Sequence, residues 1–173
     1  MNPTRDHAER IWHAAVAAAD PFTLCREAAA ALPSTGRVLV VGGGKAGALM
    51  AAGVESALGE RVYGLVNIPE GTARPLRQVQ LVEARSAGSN HPTEAGVAGV
   101  ERMLALVEQM PPGEQGLCLL SGGGSALLPA PAEGLTLVRP DGALHFRAEA
   151  SEVHDPAGGG DAVVAVVAAN HGG

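Results

Sequence analysis

The sequence predicts an α/β fold: a three-layer, Rossmann-like, doubly wound parallel sheet followed by a short β-hairpin and a helix. Short β-rich runs alternate with Ala-rich helical segments along most of the 173 residues, which is typical of a parallel sheet. Aromatic residues are only 2% of the chain against 46% apolar residues, so the core has to be built from Ala, Val and Leu. The 24 glycines and 12 prolines are too many for a helical bundle.

Two helices are predicted over residues 5–32, with a break at Asp20 and Pro21. Asp20 is expected to cap the second helix and Pro21 to lie in its first turn. The run 37–41 is predicted as the first strand, and a glycine turn leads from it into a helix over 46–58. Together these segments form the start of a βα unit.

The remaining elements continue the alternation. Thr93 is expected to cap a helix that ends near Met110, before two prolines. After residue 134 the pattern changes to a hairpin and an apolar helix over 162–169. We therefore expect N-terminal helices over 1–34, a Rossmann-like domain over 35–134 and a tail over 135–173. The other predicted strands are 61–67, 78–82, 116–120, 135–139 and 143–148, the last two joined by a turn at 140–142.

Charge and composition exclude several classes of function. The net charge is −6, which argues against a nucleic-acid or anionic-membrane partner because both require clustered positive charge. The polar N-terminus has no signal-peptide core, and the longest apolar run, 162–169, is too short to span a bilayer. Cys25 and Cys118 indicate no disulfide framework, and the six histidines show no metal-binding spacing. A cytoplasmic protein without a metal site of its own is expected.

Three glycine clusters at strand–helix or turn–helix junctions are candidate anion sites, because backbone amides at such junctions point outward. The first matches GxGxxG, yet Lys45 inside it and Asn67 at the predicted end of the second strand disfavour a dinucleotide. Ala46 stands where a Walker A motif requires Ser or Thr. The alternative is a tight turn with a solvated lysine. The candidate residues of this cluster are Gly42, Gly43, Gly44, Lys45 and Gly47.

The second and third clusters carry hydroxyl and carboxylate groups. The second does not fit the GxSxG nucleophile elbow, so it is interpreted as a donor-rich loop for phosphate or carboxylate rather than as part of a catalytic triad. The alternative for this cluster is a plain flexible linker. In the third, Asp161 is a candidate general base beside an anion hole, or alternatively an ordinary helix N-cap. The candidate residues are Ser121, Gly122, Gly123, Gly124 and Ser125 in the second cluster, and Gly158, Gly159, Gly160 and Asp161 in the third.

The stretches 40–46, 67–69, 90–96 and above all 118–134 (CLLSGGGSALLPAPAEG) resemble the N-terminal part of the type II glycerate kinases, the MOFRL family, whose members are sometimes labelled hydroxypyruvate reductases. The resemblance covers residues 5–136. It implies ATP-dependent phosphorylation of D-glycerate, usually at the 2-hydroxyl, with Mg²⁺. It also implies an active-site role for Lys45 and a ligand-binding role for Ser121 to Ser125.

Residues 133–173 are instead similar to the C-terminal part of a ribokinase-like (PfkB) heptose kinase, in which the aspartate matching Asp161 is the catalytic base. We therefore expect a truncated, chimeric kinase joined at the string 133–137, with a sugar acid and ATP as its small-molecule partners. The alternatives are an inactive remnant or small anion- or nucleotide-binding module, and an NAD-dependent hydroxypyruvate reductase.

Overall fold

A computed structural model describes residues 3–131, 136–139, 142–145 and 165–170. Up to residue 145 the predicted helices and strands are present in the predicted order, and their ends differ from the predicted ones by at most three residues. The helices are α1 (Pro3–Ala18), α2 (Pro21–Ala30), α3 (Gly47–Leu58), α4 (Glu94–Glu108) and the short α5 (Gly124–Leu127), with a 3-10 turn at Gly59–Arg61. The strands are β1 (Val38–Gly43), β2 (Val62–Pro69), β3 (Val79–Arg85), β4 (Gln115–Leu120), β5 (Thr136–Arg139), β6 (Gly142–His145) and β7 (Ala165–Asn170).

The main sheet has the strand order β3-β2-β1-β4-β7, and its first four strands are parallel. This confirms the predicted α/β class and the parallel sheet. Strands β5 and β6 pair antiparallel, as the predicted hairpin requires. No helix in the described ranges is long and apolar enough to cross a membrane.

The predicted helix over 162–169 is wrong where the structure describes it. Residues 165–170 form β7, which pairs antiparallel with β4 from Ala165 opposite Leu120 to Asn170 opposite Gln115. Val166 and Val167 are β-branched and favour extended backbone. The free edge of β4 supplies the backbone hydrogen-bond partners that a strand needs, so tertiary pairing overrides the helical preference of the alanines.

Helices α3 and α4 cover opposite faces of the sheet. Gly47 of α3 packs against Val66 and Ile68, whereas Gly99 of α4 packs against Asn67, which points the other way along the same strand. The α3 face carries the larger apolar cluster, built from small aliphatic side chains as the composition predicts. Its fully buried members include Val38, Val40, Met50, Ala51, Val62 and Leu119.

The connection from β2 to β3 contains no helix and returns along α3. The carboxylate of Glu55 on α3 accepts hydrogen bonds from the backbone amides of Arg77, Gln78 and Val79 at 2.8 to 3.0 Å. Partial burial raises the pKa of Glu55, but these three bonds lower that pKa by more, so the net shift is downward. Glu55 thus fixes the entry into β3.

Two side-chain caps agree with the sequence. Asp20 accepts a hydrogen bond from the Thr23 amide at 2.8 Å at the start of α2, and Thr93 accepts from the Gly96 amide at 3.1 Å at the start of α4. Both satisfy backbone donors that the first helical turn leaves without partners. They set where α2 and α4 begin.

Candidate functional site

The first two glycine clusters meet at the carboxyl edge of the parallel sheet. The first follows β1 and the second follows β4, and these strands are neighbours at the point where the strand order reverses. In open α/β sheets this reversal opens a crevice at the carboxyl ends of the strands, where ligands bind. We call the segments 42–47 and 121–125 the first and second glycine turns. The third cluster, Gly158 to Asp161, lies outside the described residues.

The two glycine turns are joined by direct hydrogen bonds. Gly44 approaches Ser121 so closely that a Cβ on Gly44, which has a φ of +148°, would overlap the Ser121 hydroxyl and backbone. In addition, four consecutive backbone amides of the first turn donate hydrogen bonds to atoms of the protein rather than to solvent. The bonds are Gly44 N to Asn67 O (3.3 Å), Lys45 N to Gly122 O (3.0 Å), Ala46 N to Ser121 Oγ (3.0 Å) and Gly47 N to Gly44 O (3.1 Å).

The second glycine turn keeps donors that the first does not. The backbone amides of Gly122 and Gly123 donate to no atom of the described residues, whereas Gly124 N donates to Ser121 O at 3.2 Å. Gly123 adopts a φ of +83°, a conformation that suits glycine. Successive amides in such a turn form a concave surface that binds anions.

Lys45 lies across the second glycine turn. Its side chain is exposed, and a Cβ on Gly123 would be 3.3 Å from Lys45 Cε. Lys45 is also the only lysine in the sequence; the other basic residues are arginines. The structure thus brings together Lys45, two amides without described partners and the exposed hydroxyl-bearing Ser125.

Asn67 connects this site to both flanking helices. It is fully buried, and its Nδ2 donates to Gly96 O at 3.0 Å and to Leu127 O at 2.7 Å. Its Oδ1 has no hydrogen-bond partner among the described residues and faces Gly99. Because Gly96 is on α4 and Leu127 on α5, one side chain holds both against the end of β2.

Strand β2 continues two residues past Asn67, so Glu70 and not Asn67 is the position directly after the strand. That is where a dinucleotide fold carries its ribose-binding carboxylate. The sequence argument against a dinucleotide is therefore weaker at this position. The occupied amides of the first turn are stronger evidence against dinucleotide binding, because a pyrophosphate needs those amides free.

Three polar residues of this edge were not recognised as important from sequence: Asn67 for its buried hydrogen bonds, and Glu70 and Arg85 at the ends of β2 and β3. A polar residue at the end of an apolar strand is the only signal that the sequence offers.

Cys118, in β4, has its pKa raised by burial, which makes it a weak nucleophile at neutral pH.

A protein-family model described as a domain of unknown function, DUF4147, matches residues 7–142. A putative hydroxypyruvate reductase from Agrobacterium vitis is 37% identical over 136 residues, which are 77% of this chain and 30% of that protein. The D-glycerate 2-kinase of Thermotoga maritima is 36% identical over 103 residues, 58% of this chain and 24% of that enzyme. The chain spans about 30% of the length of these curated relatives, or less.

The crystal structure of the PH0495 protein from Pyrococcus horikoshii OT3 superposes on this chain with a TM-score of 0.63 at 27% sequence identity. The superposition covers 76% of this chain and 32% of the other. This likeness agrees with the α/β architecture described above.

Proposed function

The chain belongs to the DUF4147 family, and from that premise we propose that it serves the ATP-dependent phosphorylation of D-glycerate, with the 2-hydroxyl as acceptor. The relatives named D-glycerate 2-kinase and glycerate kinase support this choice of reaction. Each aligns with this chain over 30% of its own length or less, so the activity of the whole relative is proposed here for this chain.

The observation that carries the proposal is the position of Lys45 beside the amides of Gly122 and Gly123. A transferring phosphoryl group carries negative charge on its outer oxygens, and catalysis of that transfer is mainly positioning and electrostatic stabilisation. An ammonium group and two backbone N–H donors supply both in one place. We propose that Lys45 neutralises the phosphoryl oxygens while the second glycine turn holds them.

For the acceptor of the phosphoryl group, we propose roles for residues that lie outside the described ranges. Asp161 is the proposed base that takes the proton of the 2-hydroxyl, with Gly158, Gly159 and Gly160 as donors to the acceptor's oxygens. Magnesium usually enters such reactions bound to ATP. The described residues contain no group of three or more His, Cys, Asp or Glu side chains that could hold it, and we derive no step through the ion.

The first experiment is calorimetric titration of the full chain with MgATP, using Lys45→Met and Lys45→Arg. Methionine keeps most of the apolar stem that lies against Gly123 but removes the charge, whereas arginine keeps the charge. We expect Lys45→Met to weaken binding about tenfold or more and Lys45→Arg to lose less, since an ion pair to phosphate contributes on this scale. Arg74→Gln, an exposed charge on the β2–β3 connection, is the matched control.

Because Lys45 is the sole lysine, its acylation can be followed by mass spectrometry without interference from other side chains. Bound MgATP should protect Lys45 from acylation. Unchanged affinity in a cooperatively folded Lys45→Met protein, together with no protection, would refute the proposed phosphate site. Turnover is tested by adding D-glycerate and converting the product with enolase, which distinguishes 2-phosphoglycerate from 3-phosphoglycerate.

Two other functions are separated by the same assays. MgATP binding without turnover would support a nucleotide-binding module that has lost catalysis, because phosphoryl transfer depends on more positioning groups than this edge supplies. An NAD-dependent reductase is favoured by the name of the Agrobacterium relative and by Glu70 after β2. Saturable NADH binding would support it over the kinase.

We also propose that the tail derives from a sugar kinase joined at the string 133–137. The support is the similarity of residues 133–173 to the ribokinase-like family, and the DUF4147 match ends at residue 142, within that tail. Sequencing the gene and its transcript tests this. An uninterrupted glycerate-kinase reading frame at the locus would contradict it.

A further inference from the structure

A second concave site lies at the same edge of the sheet, outside the glycine turns. A cavity of about 290 Å³ opens between the end of β3 and the start of α4, and we call it the β3 cavity. Its lining consists of Glu70, Glu83, Ala84, Arg85, Ser86, Thr93 and Ala95. Strand spacing places it roughly 10 Å from the first glycine turn, because β2 lies between β1 and β3.

A β-bulge directs Arg85 toward this cavity. Ile68 pairs with Glu83 but Pro69 pairs with Arg85, so Ala84 is an extra residue on β3. Without the bulge, Arg85 would lie on the same face of β3 as Val79, the face that α3 covers. With it, Arg85 lies on the same side as Pro69, the face that α4 covers.

Arg85 is a buried cation without a described counter-ion. Its side chain is only 5% exposed, and Nη1 donates to Asn90 Oδ1 at 2.7 Å. Nε has no hydrogen-bond partner among the described residues, and no salt bridge joins Arg85 to a carboxylate of that part of the chain. Burying an unpaired guanidinium is costly unless an anion compensates it.

The start of α4 adds further donors beside Arg85. The Thr93 hydroxyl and carbonyl accept from the amides of Gly96 and Val97. The amides of Glu94 and Ala95, two residues earlier in each case, donate to no described residue. This 15-residue helix also presents the positive end of its dipole to the cavity.

We propose that the β3 cavity binds the oxyanion of a small hydroxylated ligand, a carboxylate or a phosphate, with Arg85 as the charge partner. The Arg85 guanidinium supplies the positive charge, and the two amides of α4 that have no described partner donate to the oxyanion oxygens. Glu83 already accepts from the Gly71 amide at 2.8 Å, which leaves Glu70 as an acceptor for a ligand hydroxyl. This site does not rest on the proposed kinase function, since an oxyanion can bind here without phosphoryl transfer.

The test is an NMR titration of the isotope-labelled full chain with D-glycerate, acetate and inorganic phosphate, each at constant ionic strength. We expect saturable shifts of the amide resonances of Ser86, Glu94 and Ala95 with at least one of these anions. Saturation by D-glycerate alone identifies a hydroxycarboxylate ligand, and saturation by phosphate alone identifies a phosphorylated one. The amides of Gly122 and Gly123 report separately on the kinase proposal.

Variants then connect the shifts to Arg85. Arg85→Gln should raise the apparent Kd about tenfold or more, and Arg74→Gln should leave it unchanged. Because Arg85 is buried, Asn90→Ala provides a second variant: Asn90 is exposed, so the fold is retained, and losing the Nη1 anchor should weaken binding several-fold. The proposal is overturned if no anion shifts these amides, or if Asn90→Ala and a folded Arg85→Gln bind as the wild type does.

Discussion

Asn67 and Gly99 form a buried pair whose coupling can be worked out from the structure. Asn67→Ala removes two side-chain hydrogen bonds and leaves the carbonyls of Gly96 and Leu127 without that partner. Each bond contributes about 1 kcal/mol, and the buried space left behind adds about 1 kcal/mol. We therefore expect Asn67→Ala to lower the free energy of unfolding by about 3 kcal/mol.

Gly99→Ala should be destabilising in the wild-type background. Its new Cβ would lie within 2.7 Å of all three outer atoms of the Asn67 amide, so the amide would have to move and its hydrogen bonds would weaken. We expect a loss of about 2 kcal/mol, after the helix-favouring effect of alanine is included.

The double variant is the decisive case. Once Asn67 is alanine, the three atoms nearest to the Cβ at position 99 are gone, and the substitution there should stabilise α4 by about 1 kcal/mol. The double variant is thus expected to lose about 2 kcal/mol, against the 5 kcal/mol or so that additivity would give.

Urea unfolding followed by circular dichroism measures all four proteins. Gln80→Ala, an exposed amide on β3, is the control and should change stability by less than about 1 kcal/mol. If the loss in the double variant equals the sum of the two single losses to within about 0.5 kcal/mol, the packing of Gly99 on Asn67 described here is incorrect.

Three further predictions concern groups away from the site. Glu55→Gln should cost about 2 kcal/mol near neutral pH. Because the pKa of Glu55 is lowered on folding, this wild-type advantage is complete above its ordinary pKa of 4.5 and is lost as the pH falls through its lowered pKa in the folded protein, a loss that pH-dependent urea unfolding will reveal. Burial and the hydrogen bond to Glu114 raise the pKa of Tyr63, the only tyrosine, to about 12, so Glu114→Gln should shift its absorbance titration toward 10.0. Gly53→Ala should destabilise by about 2 kcal/mol because its Cβ would overlap the backbone of α2, whereas Gly116→Ala, with 3.9 Å to the nearest atom of the described residues, should have little effect in thermal unfolding.

The main elements were predictable because their signals are local. The run 37–41 and the run 116–120 are short, apolar and bounded by turn residues, and both are parallel strands in the structure. Asp20 and Thr93 were predictable as caps because a capping side chain bonds within its own first turn. No information from a distant part of the chain is needed for either kind of feature.

The features that could not be predicted depend on contacts between distant segments. Residues 162–169 are all Ala or Val, a composition that allows either helix or strand, and the free edge of β4 decides for strand at 165–170. The bulge at Ala84 changes which face Arg85 occupies, and nothing in the order of residues marks a bulge. Likewise, a glycine turn shows that amides are present but not which carbonyls accept from them.

That last distinction changes which glycines are expected to bind a ligand. GxGxxG at the first turn indicates an anion-binding loop, yet its amides hold the second turn in place through Ser121 and Gly122. The close approach that Gly44 permits therefore acts indirectly: it fixes the second turn, in which Gly123 lies beside the stem of Lys45. A Cβ at Gly44 would separate the two turns and disperse these donors, whereas removing the Lys45 charge would leave the turns joined and remove only the attraction for the anion. The first turn is thus a positioning element, and the second turn with Lys45 is the proposed phosphate site.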